Sequence, residues 1–301
     1  MSWRSIIVTQ HAKISYSSRQ LVVQTRDGVN EIPIDDIQLL LVSTTAAVIT
    51  TAAIAALVDV NAKIIFTGRN SEPICETIGY YPNNRDKALI EAQFTWNDEL
   101  KQILWTKLVI QKIRMQMQVC DFMQKDTVDL ADELNKMEVG DASNREAVVA
   151  HKYFTLIFNK KFVRREFDPV NSALNYGYSI LLAAVNREIV VNGYMTQLGI
   201  HHHSEENDFN LGSDLMEPFR PIIDFWVVNH KFKEFTPDIK YALVDLLNFE
   251  IEYNDKKTIL RNALTKHVAN CVNFLSAKND SIDVKVGLTN EVPNNAINGH
   301  V

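Results

Sequence analysis

The chain has little cysteine. Cys75, Cys120 and Cys271 are scattered, odd in number and without a C-x-x-C pair, which excludes a disulfide framework or a thiolate zinc site and leaves them as small apolar fillers. It also lacks an apolar run of membrane length. The most apolar stretch, Ala46 to Val60, is broken by Thr50, Thr51 and Asp59, and no signal-peptide pattern opens the sequence, so a cytoplasmic protein is expected. No P-loop, G-x-S-x-G or G-x-G-x-x-G occurs, which disfavours NTPase, hydrolase-elbow and dinucleotide chemistry. There is no internal repeat and no excess of positive charge. With a net charge of −6 and a pI near 5.8, composition alone does not propose a nucleic-acid partner, because phosphate binding rests on Lys and Arg.

What is present is an apolar fraction of 46% over 301 residues, enough for one large or two ordinary domains at roughly 100–200 residues each. Two halves differ in period. From Arg4 to Tyr80, short apolar runs at Ser5–Thr9, Gln20–Thr25, Gln38–Val42 and Lys63–Thr67 alternate with turn signals at Asp27-Gly28, Gly68 and Pro73, and one helix, Thr50 to Val60, interrupts them. Pro82-Asn83-Asn84 marks a boundary, after which helical spacing takes over, as in Ile103, Leu104, Leu108, Val109 and Ile113, or Leu181, Leu182, Val185, Ile189 and Val190. The pattern predicts an α+β protein: a small N-terminal β-sheet domain with a capping helix over residues 1–84, then a larger all-α domain over 85–301. Beyond Ser276 the text turns polar and Asn-rich, which predicts a mobile tail from about 277 with room for a short strand at Ile282–Val286.

Chemistry concentrates between His201 and Glu217, where His201, His202 and His203 precede Glu205, Glu206, Asp208, Asp214 and Glu217. Asp214 and Glu217 are three apart, and Pro218 and Pro221 place them at a first turn or a kink. Three adjacent histidines cannot all converge on one ion, so one is a ligand and the others flank it. Carboxylate-rich sets suit Mg²⁺ or Mn²⁺, whereas two or more histidine ligands would shift the preference to Zn²⁺, Fe²⁺ or Ni²⁺, the sharpest case being the facial triad of two histidines and one carboxylate of iron-dependent oxygenases; an exposed polar loop is the bland alternative. Ser143 is a candidate N-cap with Glu146 at capping-box spacing, so Glu146 has a structural reading as well. His151, His230 and His267 are isolated on helices and read as satisfied residues. Tyr176 and Tyr178 read as packing aromatics rather than recombinase nucleophiles. Lys160, Lys161, Arg164 and Arg165 put four positive charges within six residues, by default a solvated helix end.

At these residues the sequence resembles the CRISPR-associated protein one family, which inserts spacers into CRISPR arrays. The likeness spans nearly the whole chain. It is carried by Glu31-Ile32-Pro33-Ile34-Asp35-Asp36-Ile37, by Asn144-Arg145-Glu146 with Tyr153-Phe154, and by Asp168-Pro169-Val170-Asn171 leading to Asn175-Tyr176-Gly177-Tyr178. It culminates in Gly199-Ile200-His201-His202 and in Ser213-Asp214-Leu215-Met216-Glu217-Pro218-Phe219-Arg220-Pro221, a highly specific motif. The Asn-Arg-Glu wording and Phe209-Asn210-Leu211 look like the branch that accompanies type II systems.

The resemblance implies a catalytic and metal-binding set of Glu146, His202 and Glu217. A spacing of fifteen residues before the final glutamate, as in the type II branch, selects His202; fourteen, as in other branches, would select His203. Asp214 matches a further acidic position and is expected to orient a ligand or assist the metal. With DNA implied as substrate, Lys160, Lys161, Arg164 and Arg165, together with Arg145 and Arg220, become candidate phosphate contacts. The family also implies a homodimer formed through the β domains, and two such dimers clamping a dimer of the small CRISPR-associated protein two, with prespacer DNA lying across the assembly. The expected activity is that of a divalent-metal-dependent DNA endonuclease and integrase, in which a prespacer 3′-hydroxyl attacks a phosphodiester at the repeat. A structure-specific repair nuclease or a non-catalytic scaffold would share much of this pattern.

Overall fold

The computed structural model describes residues 4–68, 73–77, 87–159, 162–164, 166 and 168–289. The chain divides into two compact units, Met1–Arg85 and Asp86–Val301.

In the first unit, the described elements are strands β1 (Arg4–Val8), β2 (Lys13–Ser17), β3 (Gln20–Thr25), β4 (Gly28–Pro33), β5 (Ile37–Val42), β6 (Val48–Ile49), β7 (Lys63–Thr67) and β8 (Pro73–Glu76), a 3-10 turn at Ile34–Asp36 and the helix α1 (Thr51–Asp59). They form two four-stranded sheets, ordered β1-β5-β7-β8 and β4-β3-β2-β6. β2, β3 and β4 are an antiparallel meander, with Ile14 facing Val23 and Tyr16 facing Leu21, whereas β1, β5 and β7 run parallel. Parallel pairing explains the text of β5: Ile37-Gln38-Leu39-Leu40-Leu41-Val42 is buried throughout, so no alternation shows. Thr50 caps α1 by accepting from the Ala53 N–H, and Ala53 and Leu57 face a core of Ile14, Leu21, Ile37, Leu40 and Ile64.

The second unit is built on α2 (Lys87–Phe94), α3 (Asp98–Phe122), α4 (Val128–Leu134), α5 (Arg145–Ile157), α6 (Pro169–Val191), α7 (Asn210–Leu215), α8 (Arg220–Asn229), α9 (Pro237–Asp245) and α10 (Leu260–Leu275). α3 is central. Buried residues recur all round it, among them Leu104, Trp105, Leu108, Val109, Lys112, Met115 and Val119, and it packs against α4, α5, α8, α10 and the 3-10 turn Glu217–Phe219. α6 crosses α8 so closely that a Cβ on Gly177 would stand 2.4 Å from Ile223 Cγ2, which is why glycine occupies that position.

The unit is not helical throughout: β9 (Glu250–Tyr253), β10 (Lys256–Ile259) and β11 (Val286–Leu288) form a small antiparallel sheet ordered β10-β9-β11. β11 corrects the expectation of a mobile tail from about 277. Ile282, Val284, Val286 and Leu288 are buried, and α3 holds their backbone: Lys107 donates to the Ile282 carbonyl at 2.6 Å, Gln111 to that of Val286 at 2.6 Å, and Gln118 accepts from the Leu288 N–H at 2.9 Å. The polar text was misleading because alternate residues are the buried ones. Residues from 290 on, where the rest of the expected tail falls, lie outside the described residues.

Candidate functional site

Glu146 stands in the first turn of α5, but not through the Ser143 cap. Asp141 takes that role, accepting from the Arg145 N–H at 2.6 Å and the Glu146 N–H at 3.0 Å, while Asn144 adopts a left-handed conformation with φ 53°. The carboxylate serves this helix start better than the Ser143 hydroxyl, because it satisfies two orphan N–H groups and complements the helix dipole. Glu217 opens the 3-10 turn between α7 and α8 and is 4% exposed.

These two glutamates come from elements far apart in sequence and meet at one cation. Lys112, buried midway along α3, is ion-paired with Glu146 Oε1 through its ammonium and lies 2.5 Å from Glu217 Oε2. Arg220 Nε flanks Glu217 Oε1 at 3.0 Å. Burial works against the Glu217 charge, yet Arg220 and Lys112 outweigh it and hold the carboxyl below its ordinary range. Burial likewise opposes the Lys112 charge, and Glu217 and Glu146 overcome it, keeping the ammonium protonated beyond its ordinary range.

The histidine loop is organised by Asp214, whose carboxylate is completely buried. Its Oδ2 accepts from the N–H of Ile200 at 2.7 Å and of His201 at 3.0 Å; its Oδ1 accepts from the His202 N–H at 3.2 Å and from His202 Nδ1 at 2.5 Å. A Cβ on Gly199 would stand 2.2 Å from the His202 carbonyl oxygen, so the loop closes this tightly only with glycine there. Since a carboxylate only accepts, Nδ1 carries the proton, and Nε2 of the neutral ring presents a lone pair. The Asp214 hydrogen bond raises the His202 pKa. The His201 ring stacks on Trp105, centroids 4.0 Å apart at 6°, and His202 meets Trp105 edge-on at 5.7 Å, so this indole braces both rings. His203 instead lines an open cleft of about 430 Å³ with Trp96, Gln197 and Asn210.

Of the three expected ligands the structure thus brings Glu146 and Glu217 to a shared point and holds His202 on Asp214. Among the described residues, no three His, Cys, Asp or Glu side chains are placed to hold a metal ion together. The donor chemistry nonetheless fits a hard divalent cation. Two carboxylates already share one positive charge, and the buried Glu217 Oε2 accepts no aligned hydrogen bond although Lys112 is near.

Of the expected phosphate contacts, Arg145, Arg164 and Arg220 fall among the described residues. Arg145 donates to Glu133 at 2.8 Å and to the Ser143 carbonyl, and Glu133 also receives Lys152 and Lys136, whose hydrogen bonds with that of Arg145 lower its pKa to about 2. Arg164 donates to Asn171 at 3.0 Å and Asn175 at 2.8 Å, and Lys160, Lys161 and Arg165 lie outside the described residues. The guanidiniums of Arg164 and Arg220 lie 5.3 and 4.9 Å from the Tyr178 ring centre, and the Tyr178 hydroxyl donates to Asp224. Burial raises the Asp224 pKa to about 6 against the hydrogen bond of Tyr178. Tyr176 packs edge-on to Phe235. His267 is fully buried and donates to the Leu215 carbonyl at 3.0 Å, and burial lowers its pKa to about 4.

Lys112 and Trp105 were not singled out by the sequence. A signal existed for Lys112: it falls on the stripe Leu108, Val109, Lys112, Ile113, where a charge at helical spacing asks for a buried partner.

Comparison with known proteins gives the family. A model described as CRISPR associated protein Cas1 matches residues 6–234. A CRISPR-associated endonuclease Cas1 of Neisseria meningitidis serogroup C (strain 8013) is 32% identical over 287 residues, covering 93% of this chain and 94% of that protein. Among solved structures, a casposase bound to integration product superposes with a TM-score of 0.79 at 19% identity, covering 93% of each chain. A Cas6-RT-Cas1–Cas2 complex contains a chain that superposes with a TM-score of 0.73 at 16% identity, covering 92% of this chain and 35% of that one. The two likenesses extend to the fold, and the family match and the meningococcal relative settle membership: this chain belongs to the CRISPR-associated protein Cas1 family.

Proposed function

We propose that this protein is the DNA-integrating, divalent-metal-dependent endonuclease of a CRISPR adaptation system, joining prespacer DNA to the array through a 3′-hydroxyl. The observation that carries the reading is the convergence of Glu146 and Glu217 on a single cation beside a histidine already oriented by a buried carboxylate. Glu146, Glu217 and His202 Nε2 would hold Mg²⁺ or Mn²⁺, which when bound supplies Lewis-acid polarisation of a phosphoryl oxygen and acidifies the attacking hydroxyl. Asp214 keeps the His202 proton on Nδ1. Arg220, beside Glu217 and over Tyr178, contributes positive charge where a phosphodiester would gain negative charge. No side chain in this cluster is an activated Ser or Tyr nucleophile, which supports attack by the DNA itself.

The partners follow from the family. The meningococcal relative is named an endonuclease, one superposed structure is bound to integration product, and another is assembled with Cas2. We extend these to double-stranded prespacer and repeat DNA, a homodimer formed through the N-terminal unit, and two such dimers around one Cas2 dimer. No helix among the described residues is long and apolar enough to cross a membrane, and we place the enzyme in the cytoplasm with its DNA. The deciding experiment is integration of labelled prespacer into a repeat-bearing plasmid, with and without Cas2 and with EDTA. Joining at the repeat that needs Cas2 and Mg²⁺ or Mn²⁺ supports the assignment. Cleavage independent of Cas2 and of the repeat would make the protein a repair-type nuclease, and no strand transfer under any condition would leave a scaffold.

A further inference from the structure

Lys112 is the one charge in this cluster that the proposed chemistry leaves without a task. Its side chain is 7% exposed and sits on a helix surrounded by apolar neighbours, an expensive place for an ammonium unless it is paired. It is paired twice, with Glu146 on α5 and with Glu217 on the 3-10 turn, and these elements have no sequence proximity to α3. Two carboxylates this close would repel each other without an intervening cation.

We propose that Lys112 is the resident counter-ion of the Glu146–Glu217 pair: it positions both carboxylates in the metal-free protein and competes with the divalent cation for them. The inference rests on the metal reading above. Its physical basis is that a divalent ion shared by the same two carboxylates meets an ammonium occupying the same place, and like charges at contact distance cannot both stay there. The flexible four-carbon stem of lysine lets it withdraw, which the rigid fork of arginine would do less readily. The affinity for metal is therefore held down by an internal competitor, and a DNA phosphate entering with the metal offers the displaced ammonium a new partner. This makes the site one that fills with its substrate rather than before it.

The test is Mn²⁺ titration of the full-length chain by calorimetry, alongside thermal melting with and without Mn²⁺, for the native protein, Lys112→Met and Lys112→Arg. Structural damage and loss of a competitor move the affinity in opposite directions. Lys112→Met should bind Mn²⁺ roughly tenfold tighter or more, the size of effect expected for a group touching metal ligands. It should also melt lower than the native protein without metal and recover with Mn²⁺. Lys112→Arg, which keeps the charge, should bind no tighter than the native protein. If Lys112→Met is unfolded without metal, Mn²⁺ should restore its helical circular dichroism; failure to refold would overturn the proposal. Equal or weaker Mn²⁺ binding by folded Lys112→Met would overturn it too, as would a tenfold gain in Lys112→Arg. Absence of Mn²⁺ binding by both the native protein and Lys112→Met would instead remove the metal reading, and this inference with it.

Discussion

Replacing Asp214 by Asn separates what this residue does for the fold from what it does for His202. The native carboxylate serves four donors: two at Oδ2, from Ile200 and His201, and two at Oδ1, from the backbone and ring of His202. An amide has one oxygen. Turned toward Ile200 and His201, it keeps their hydrogen bonds and sets its NH₂ against the His202 N–H and Nδ1. One part-buried backbone donor then loses its acceptor, a cost of about 1–3 kcal/mol, which urea denaturation would register as a modest loss from a total of about 5–15.

The ring responds differently. Nδ1 has to become the acceptor of the new NH₂, so the proton moves to Nε2 and the lone pair proposed for the metal disappears. A change in such a partner typically weakens metal affinity about 10- to 100-fold, or ~1.4–2.7 kcal/mol. The expected result for Asp214→Asn is a folded protein with Mn²⁺ affinity reduced in that range, and side-chain nitrogen NMR showing His202 protonated at Nε2. The same substitution removes the hydrogen bond that raises the His202 pKa. A raised folded pKa stabilises the native state below the unfolded value near ~6.5 and is lost as pH rises through the folded value. Stability of Asp214→Asn should therefore vary less across that window. Unchanged Mn²⁺ affinity with the Nε2 lone pair retained would refute this account of Asp214.

Glu146→Ala, His202→Ala and Glu217→Ala should each abolish integration in the plasmid assay while dimers persist on gel filtration, with His201→Ala and His203→Ala milder; an inactive His203→Ala beside an active His202→Ala would move the ligand by one residue. Native-enzyme activity should fall on acidification at a pH above the free imidazole range near ~6.5, because Asp214 raises the His202 pKa and only the neutral ring can ligate; a profile flat to pH 5 would contradict it. Asp224 is protonated more readily folded, near 6, than unfolded, so it stabilises at low pH and loses up to about 3 kcal/mol as pH rises from ~4 through 6; Asp224→Asn should flatten that slope in urea melts. Donor DNA ending in a 3′-deoxy sugar should bind but not join, whereas Tyr176→Phe and Tyr178→Phe should still join ordinary donors; labelled DNA covalently held by the protein on a denaturing gel would point to a tyrosine nucleophile.

The elements that the sequence displays most clearly are those where a local rule and the tertiary context agree. β3 and β7 have the bounds the apolar runs predict, and α1 begins one residue after the threonine that caps it. β2 and β4 escape notice because Lys13-Ile14-Ser15-Tyr16-Ser17 buries only Ile14 fully and Gly28–Pro33 is mostly exposed: their strand character comes from pairing with β3. β9 and β10 also pass unread, whereas the strand expected at Ile282–Val286 overlaps β11 at Val286, where the pairing with Tyr253 of β9 begins. The alternation is there, as in Glu250-Ile251-Glu252-Tyr253, but runs this short amid helical text do not mark a strand by themselves, and the pairing decides them.

The site divides along a similar line. His202, Asp214 and Glu217 are visible as a dense run of residues able to bind a cation, and the geometry of His202 follows from a tight loop around the buried Asp214 carboxylate. Glu146 is invisible to that reasoning. It stands 71 residues before Glu217, and only the resemblance to a known family joined them in the sequence. What joins them in the protein is Lys112, whose position within an apolar stripe of α3 asks for a buried acidic partner and in the fold meets two. A buried lysine specifies partners by the cost of leaving it alone, and the buried face of a helix admits such a residue only where the fold brings compensating charge. On the proposed metal reading, the charge that joins Glu146 and Glu217 is also the charge that a divalent ion would replace, so the pairing within this cluster and its affinity for metal are set against each other by one side chain.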